Sequence, residues 1–362
     1  MDGVMTTTAA GQFVRGDGAE VPRVLLDAAE RTAVGDLAEL VLGEDPGRPV
    51  EDRLDRVALY AHELPPRLRA VLTGFRLTGR PFGGLVLSGL PFNEAALGVT
   101  PLSYAARSDG REATQATAVL LLIGSLLGDP FSYLSQSKGR LVLDVFPVAG
   151  HEWDQLGSSS ATKLEWHNED AFHPMRADWI MLFCLRNRDG VATTFAPIQD
   201  VRLDPATRDV LFEDRFVILP DESHTAAFNA GTTGVDDGDA VRRAFAQIAE
   251  MSSAPPRTPI LSGDPEAPYV RIDPAFMQRD LGDPVAERAL DTVITAIDQR
   301  LEDVVLASGE LLIIDNKRAV HGRRPFRARY DGTDRWLRRI NVSADLRKSA
   351  GRRFGSHQRA VV

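Results

Sequence analysis

Leu164-Glu165-Trp166-His167-Asn168-Glu169-Asp170-Ala171-Phe172-His173 is the stretch on which the fold turns, read together with Asp315-Asn316-Lys317-Arg318-Ala319-Val320-His321-Gly322 far downstream. In an extended strand successive side chains point to opposite faces, so His167 and Glu169 project to the same side. One imidazole and one carboxylate are thereby aimed at a single point. Two histidines and one carboxylate are the ligand set of the facial triad that holds iron(II) and leaves coordination positions open. His321 is the natural third ligand, and Asp170 is the rival carboxylate to Glu169. Bringing residues 167 and 321 together requires a sheet that folds back on itself.

Beyond His321 the chain reads Arg329-Tyr330-Asp331-Gly332-Thr333-Asp334-Arg335-Trp336-Leu337-Arg338-Arg339-Ile340-Asn341-Val342, a turn signal followed by a strand-like run. Alternation puts Arg335, Leu337, Arg339 and Asn341 on one face and Trp336, Arg338, Ile340 and Val342 on the other. Arg335 and Arg339 are then roughly 13 Å apart, at about 3.3 Å per residue. Two guanidinium groups on one face beside a metal ligand suit two separate carboxylates, each held by a bidentate fork. An enzyme with a diacid co-substrate and an amino-acid substrate needs such a pair. The non-enzyme reading of the same residues is a jelly-roll metal- or ligand-binding protein with zinc on His167, Glu169 and His321, and it leaves the paired arginines without a use.

The combination W-H-N-E-D-A-F, D-N-K-R-A-V-H-G-R and Y-D-G-T-D-R-W-L-R-R resembles the clavaminate synthase-like family of iron(II)- and 2-oxoglutarate-dependent oxygenases. Within it the likeness is greatest to the arginine β-hydroxylase branch of the viomycin pathway, with asparagine oxygenase and the free-lysine hydroxylases as further relatives. It runs from about Ala61-His62-Glu63-Leu64-Pro65 to about Arg347. The resemblance implies an amino-acid hydroxylase of antibiotic biosynthesis that uses Fe(II), 2-oxoglutarate and O₂, with succinate and CO₂ as co-products and His167, Glu169 and His321 as iron ligands. It matches Arg335 to the arginine that pairs with the distal carboxylate of 2-oxoglutarate, and puts Thr194 where a co-substrate hydroxyl contact is expected. Arg339 corresponds to a residue near the substrate α-carboxylate, and Gln136 shares the α-amino contact with Glu169. A carboxylate at 169 speaks for hydroxylation, because related halogenases carry a small residue there to admit chloride.

Asp221 and Asp273 match acidic residues around the guanidinium pocket of the arginine enzymes. A buried cation needs a paired charge. The resemblance therefore implies a free basic L-amino acid, arginine or an analogue, hydroxylated at the β-carbon (C3). One departure bears on this: a second aspartate of those enzymes is here Ala275, after Pro274. The space it frees suits a cyclic guanidine such as enduracididine or capreomycidine, a citrulline ureido group or a lysine ammonium. Asparagine, and desaturation or cyclisation with the same cofactors, are the remaining alternatives.

A formal charge of −9, with 43% hydrophobic and 26% charged residues among 362, describes an ordinary globular protein and a poor general nucleic-acid binder. The Arg-rich segment 317–359 reads as a solvated basic face. The single cysteine, Cys184, lies in the apolar run Trp179-Ile180-Met181-Leu182-Phe183-Cys184-Leu185 and reads as a small buried hydrophobe. No segment has the length of a membrane helix, and the N-terminus lacks a basic start followed by an apolar core, so the expected location is cytoplasmic and the expected partner a small-molecule amino acid.

Residues 1–20 lack apolar periodicity and are expected to be a disordered tail. A single oxygenase domain then spans 21–350, helical to about 130, with helices over 24–42 and 63–75 packed outside the core and a buried helix over 117–127. A strand is expected at 84–90, and the stretch 141–148 opens a run of strand signals that continues at 179–185, 192–197, 216–219, 259–261, 269–273, 310–315 and 336–342. Such strands suit an α+β fold, a double-stranded β-helix (jelly roll, cupin-like) over about 141–346 with flanking helices, and a helical insertion at 283–306 buttressing its outside. Residues 351–362 read as a basic C-terminal tail. His151 and His173 take surface or structural roles because the triad is complete without them. His224 reads as a solvated loop residue, and Ser158-Ser159-Ser160 as a flexible loop beside the metal strand.

Overall fold

The main body begins with strand β1 (Arg23–Leu25) and helices α1 (Ala28–Gly43), α2 (Leu54–Ala61) and α3 (Pro66–Thr78). Asp27 and Glu30 cap α1 reciprocally, Pro66 sits in the first turn of α3, and Gly79, at φ 60°, ends it. Strand β2 (Gly84–Ser88) and helix α4 (Arg111–Leu127) follow. The computed structural model describes residues 21–362 except 46, 81, 105, 107–109, 234–237 and 355–358, together with the backbone of a short antiparallel pair, Thr7–Thr8 with Gly11–Gln12. The rest of the expected tail at 1–20 lies outside the described residues.

Helix α4 is apolar nearly all round because it lies between the other helices and a sheet. The early helices are not outside the core, as the sequence had suggested. Val34, Ala38 and Val41 of α1 and Leu68, Val71, Leu72 and Phe75 of α3 join the largest core cluster with α4.

Besides two short antiparallel pairs, Phe216–Val217 with Arg257–Thr258 and Leu261–Ser262 with Tyr269–Val270, the strands that follow are β3 (Asp129–Tyr133), β4 (Leu143–Val145), β5 (Leu164–His167), β6 (Trp179–Arg186) and β7 (Thr193–Pro197). After helices α5 (Pro205–Leu211), α6 (Ala226–Thr232), α7 (Asp239–Ser253) and α8 (Pro284–Asp298) come β8 (Glu302–Val304), β9 (Leu311–Asp315), β10 (Ala319–Arg323), β11 (Trp336–Ser343), β12 (Arg353–Phe354) and β13 (Ala360–Val361). They form two main sheets. The larger runs β12-β13-β3-β11-β6-β9-β2-β1, with β4 also on β11, and the smaller runs β8-β7-β10-β5.

Side-chain alternation stacks these sheets face to face. Trp179, Met181, Phe183 and Leu185 of β6 enter the core shared with α1–α4. Ile180, Leu182 and Cys184 enter a second core with Phe195 of β7, Val304 of β8 and Ala319 of β10. A strand buried on both faces reads as one continuous apolar run, as β6 does. The outer face of the small sheet, with Trp166, Ala196 and Val320, is covered by α5 and α8 and by Ile248 of α7. This is an α+β architecture of helices, sheet, sheet and helices.

Two boundaries differ from the sequence reading. The helix expected over 283–306 ends at Asp298, and β8 pairs antiparallel with β7. Val304 and Leu306 are buried while Val305 is exposed, a period of two that the coarser helical spacing had masked. The expected C-terminal tail instead returns to the large sheet, where Ala360–Val361 pairs parallel with β3.

Candidate active site

Strands β5 and β10 are antiparallel neighbours, and His321 stands in register opposite His167. Their ring centroids are 4.8 Å apart. Glu169 lies just beyond the end of β5, and its Oε2 is 3.7 Å from His167 Nε2 and 3.5 Å from His321 Nε2. The ligand atoms of these three residues converge within 4.8 Å of one another. Two asparagines hold the turn that makes this possible. Asn168 donates to the carbonyls of Asn316 and Ala319, both at 2.9 Å, and accepts from the Ile272 amide. Asn316 accepts from the Glu169 amide at 2.8 Å and donates to the Glu169 and Ala177 carbonyls at 3.0 Å. Neither role was visible in the sequence; the only signal was that each asparagine adjoins a ligand motif. Asp170 turns the chain with φ 49°, a conformation aspartate tolerates better than most residues.

The His167 imidazole is oriented for a metal, while Nδ1 of His321 is buried without a partner among the described residues. His167 Nδ1 donates to the Glu165 carbonyl at 2.8 Å, which leaves the Nε2 lone pair on the Glu169 side. Gly322 is dictated by close approach, since a Cβ there would lie 2.6 Å from the Leu164 carbonyl oxygen. Burial lowers the His167 pKa, but the Glu169 hydrogen bond and the charges of Asp273 and Glu169 outweigh it and take it up to about 9. Burial alone would raise Glu169; the Arg339 charge and both histidines instead hold it well below the usual carboxylate range. The buried carboxylate of Glu169 thus favours positive charge at this point.

Strand β11 carries the two arginines as its alternation predicts, with Leu337 in the inter-sheet core and Trp336 and Ile340 on the helix side. Arg335 is 8% exposed and donates to Thr193 Oγ1 at 3.1 Å, while its Nε has no partner. Among the described residues it has no carboxylate partner, and burial pulls its guanidinium down to about 10. Arg339 donates to Glu169 Oε1 and, at 3.2 Å, to Gln136 Oε1. Gln136 Nε2 donates to Ser223 Oγ at 2.6 Å, and Ser223 donates to Asp221 Oδ1 from both its amide and its hydroxyl.

His167, Glu169, His321, Gln136, Asp221, Asp273, Arg335 and Arg339 all line one cavity of about 170 Å³, with Ala275 also in its wall. Thr194 does not line it. Phe195 faces the inter-sheet core and Ala196 the outer one, so Thr194 points away from the cavity; Thr193, one residue earlier, faces it and receives Arg335. Burial pushes Asp273 up to about 7, against the pull of His167 and with the repulsion of Asp221.

Three further expectations change. His224 is fully buried, bonded to Asp170 Oδ1 at 2.9 Å and to Ser135 Oγ at 2.8 Å. Ser158, Ser159 and Ser160 are buried rather than in a loose loop, and Arg323, Arg335 and Arg338 of the Arg-rich segment are buried rather than solvated. His173 is buried, accepts from the Met175 amide and has its pKa lowered to about 3 by burial, a structural role.

The profile of the taurine catabolism dioxygenase TauD, TfdA family matches residues 107–341. The chain is 44% identical over 304 residues to an enduracididine beta-hydroxylase of Streptomyces hygroscopicus, covering 84% of this chain and 89% of that protein. It is 38% identical over 343 residues to an L-ornithine/L-arginine 3-hydroxylase of Catenulispora acidiphila, covering 94% and 99%. The crystal structure of the non-heme iron oxygenase OrfP in complex with Fe, succinate and (3S)-hydroxy-L-Arg superposes with a TM-score of 0.85 at 39% identity, covering 94% of this chain and 100% of that one.

Proposed function

Since the chain belongs to the taurine catabolism dioxygenase TauD, TfdA family, we propose that it is an iron(II)- and 2-oxoglutarate-dependent oxygenase that hydroxylates a free basic L-amino acid, arginine or a related guanidine, at C3. The observation that carries the reading is the convergence on one cavity of the His167, Glu169 and His321 triad, a buried arginine without a carboxylate and an acidic end formed by Asp221 and Asp273. Its two-sheet core is read as a double-stranded β-helix of the jelly-roll kind.

The residues divide the work. His167, Glu169 and His321 hold the iron, whose chemistry with 2-oxoglutarate and O₂ oxidises the substrate C–H bond and releases succinate and CO₂. Arg335 takes the distal carboxylate of 2-oxoglutarate, with Thr193 fixing the guanidinium plane. Arg339 turns from Glu169 toward the substrate α-carboxylate, and Gln136 orients the amino acid beside it. Asp221 and Asp273 supply the counter-charge for the cationic side chain, and reaction at C3 is inferred from the likeness to an enduracididine beta-hydroxylase and an L-ornithine/L-arginine 3-hydroxylase. The low exposure of Arg335, Glu169 and His321 strengthens the electrostatic interactions they make with bound ligands.

A cyclic guanidine is favoured as the second reading by one observation: Ala275 lines the cavity, and its methyl leaves room where a longer acidic side chain would meet a flexible guanidinium. Incubation with Fe(II), 2-oxoglutarate and a panel of arginine, homoarginine, enduracididine, citrulline, lysine, ornithine and asparagine tests both. Succinate release and product mass identify the substrate, and NMR places the hydroxyl. Turnover of asparagine alone, or none with any free amino acid, overturns the proposal.

A further inference from the structure

Arg323 lies on β10 two residues after His321, lines the cavity and is 2% exposed. Among the described residues it has no carboxylate partner, and neither does Arg335, whose charge acts on it. Its donors go to one loop. Nη1 donates to the Ser159 carbonyl, and Nη2 to Ser159 Oγ and to the Thr162 carbonyl, both at 3.0 Å. Its Nε donates to the Arg324 carbonyl at 3.3 Å, and the guanidinium lies 5.1 Å over the Phe326 ring. The loop so held is part of the cavity wall, through Leu156, Gly157 and Ser158. Other ties give it one shape: the amides of Ser160, Ala161 and Thr162 all donate to the Glu152 carbonyl, Phe326 N donates to the Ser160 carbonyl at 2.8 Å, and Tyr104 OH donates to Ser158 Oγ.

A buried cation satisfied only by neutral oxygens is expensive unless an anion completes it. For the loop alone, an asparagine or glutamine would provide donors without burying a charge. We propose that Arg323 is a positioning residue for the dicarboxylate co-substrate: it seats the 156–162 loop as a wall of the cavity and adds a second fixed positive charge beside Arg335. The inference rests on the 2-oxoglutarate reading above. It places the co-substrate end of the cavity at the junction of β7, β10 and β11, where Thr193 stands in register with Arg323 and receives Arg335.

The test is calorimetric titration of 2-oxoglutarate, and separately of the amino acid, into full-length protein loaded with redox-inert Mn(II), for wild type, Arg323→Gln and Arg323→Lys. Hydrogen exchange over 156–162 is followed in parallel. Arg323→Gln is expected to weaken 2-oxoglutarate about tenfold or more and the amino acid less than about twofold, with faster exchange in the loop; Arg323→Lys restores part of the affinity but not the protection. A folded Arg323→Gln with unchanged 2-oxoglutarate affinity, or with both ligands weakened alike, overturns the inference. Should Arg323→Gln fail to fold, Arg323→Lys decides, and unchanged affinity in it is equally fatal. Absence of 2-oxoglutarate binding in the wild type refutes the proposed function itself.

Discussion

Arg335→Met is expected to separate binding from stability. The side chain is 8% exposed and, among the described residues, makes one hydrogen bond, to Thr193, and leaves Nε unpartnered. Burial takes its guanidinium from 12.5 to about 10, which corresponds to roughly 3 kcal/mol against the charged form in the ligand-free fold. Methionine fills comparable apolar space without a charge, and loss of the bond to Thr193 returns about 1 kcal/mol. The metal-free variant should therefore gain about 2 kcal/mol and melt roughly 2–4 °C higher, at about 1–2 °C per kcal/mol for a chain of this size. Affinity for 2-oxoglutarate moves the other way. Leaving a buried carboxylate without its bidentate partner costs about 3–5 kcal/mol, on the order of a hundredfold to several thousandfold in Kd. Scanning fluorimetry of the metal-free protein and calorimetry of the Mn(II)-loaded protein measure the two. A lower melting temperature in a variant with native circular dichroism, or a Kd within about fivefold of wild type, refutes the assignment of Arg335 as an anion receptor retained against stability.

His167→Ala, His321→Ala and Glu169→Ala should each abolish turnover and weaken metal binding while the far-UV spectrum stays native; full activity in any of them removes that residue from the triad. Arg339→Ala should raise KM for the amino acid about a hundredfold and leave 2-oxoglutarate nearly untouched, and equal effects on both would show that the two anion sites are not separate. Asn316→Ala removes three buried hydrogen bonds, two of them to the backbone of residue 169, and should lower metal affinity with about 2–4 kcal/mol of lost stability; a shift in stability without one in metal affinity would make the brace merely structural. Asp273 has its pKa raised to about 7, so it is largely protonated at pH 6 and ionised at pH 8. A cationic side chain favours the ionised form. KM for arginine should therefore fall as pH rises through 7 and level off above it, while KM for neutral citrulline stays flat; parallel profiles would exclude Asp273 from the cation site.

Much of the fold was legible because its strands are buried in distinctive ways. The run 179–185 announced a central strand by being apolar at every position, and the structure buries Trp179–Arg186 on both faces. The short edge element Glu302–Val304 carried no such signal, since Val304 lies three residues after Leu301 and mimics a helical stripe. Helix Asp239–Ser253 was missed although Val241, Ala244 and Ile248 do fall at helical spacing. Its apolar stripe is thin, and its burial depends on contact with segments distant in sequence, such as Leu134.

In the site, what was legible was relative and what was lost was absolute. Period-2 alternation tells which residues share a face, and it put Arg335 with Arg339 and His167 with Glu169 from the sequence alone. It does not tell which face looks inward. On β7 the choice lay between two adjacent threonines, and matching by resemblance took Thr194 where the structure turns Thr193 to the cavity. The neighbours decide it: the aromatic ring of Phe195 must enter the inter-sheet core, which carries Thr193 to the same side and turns Thr194 toward the outer layer. The buried asparagines escaped for a related reason. A polar residue is normally read as exposed, and Asn168 and Asn316 are wholly buried because each satisfies backbone groups of the other's segment, together with Ile272 and Ala177, a pairing that exists once His167 and His321 stand in register. The ligand geometry and its support are thus one cooperative unit, so that disturbing the brace should disturb the metal.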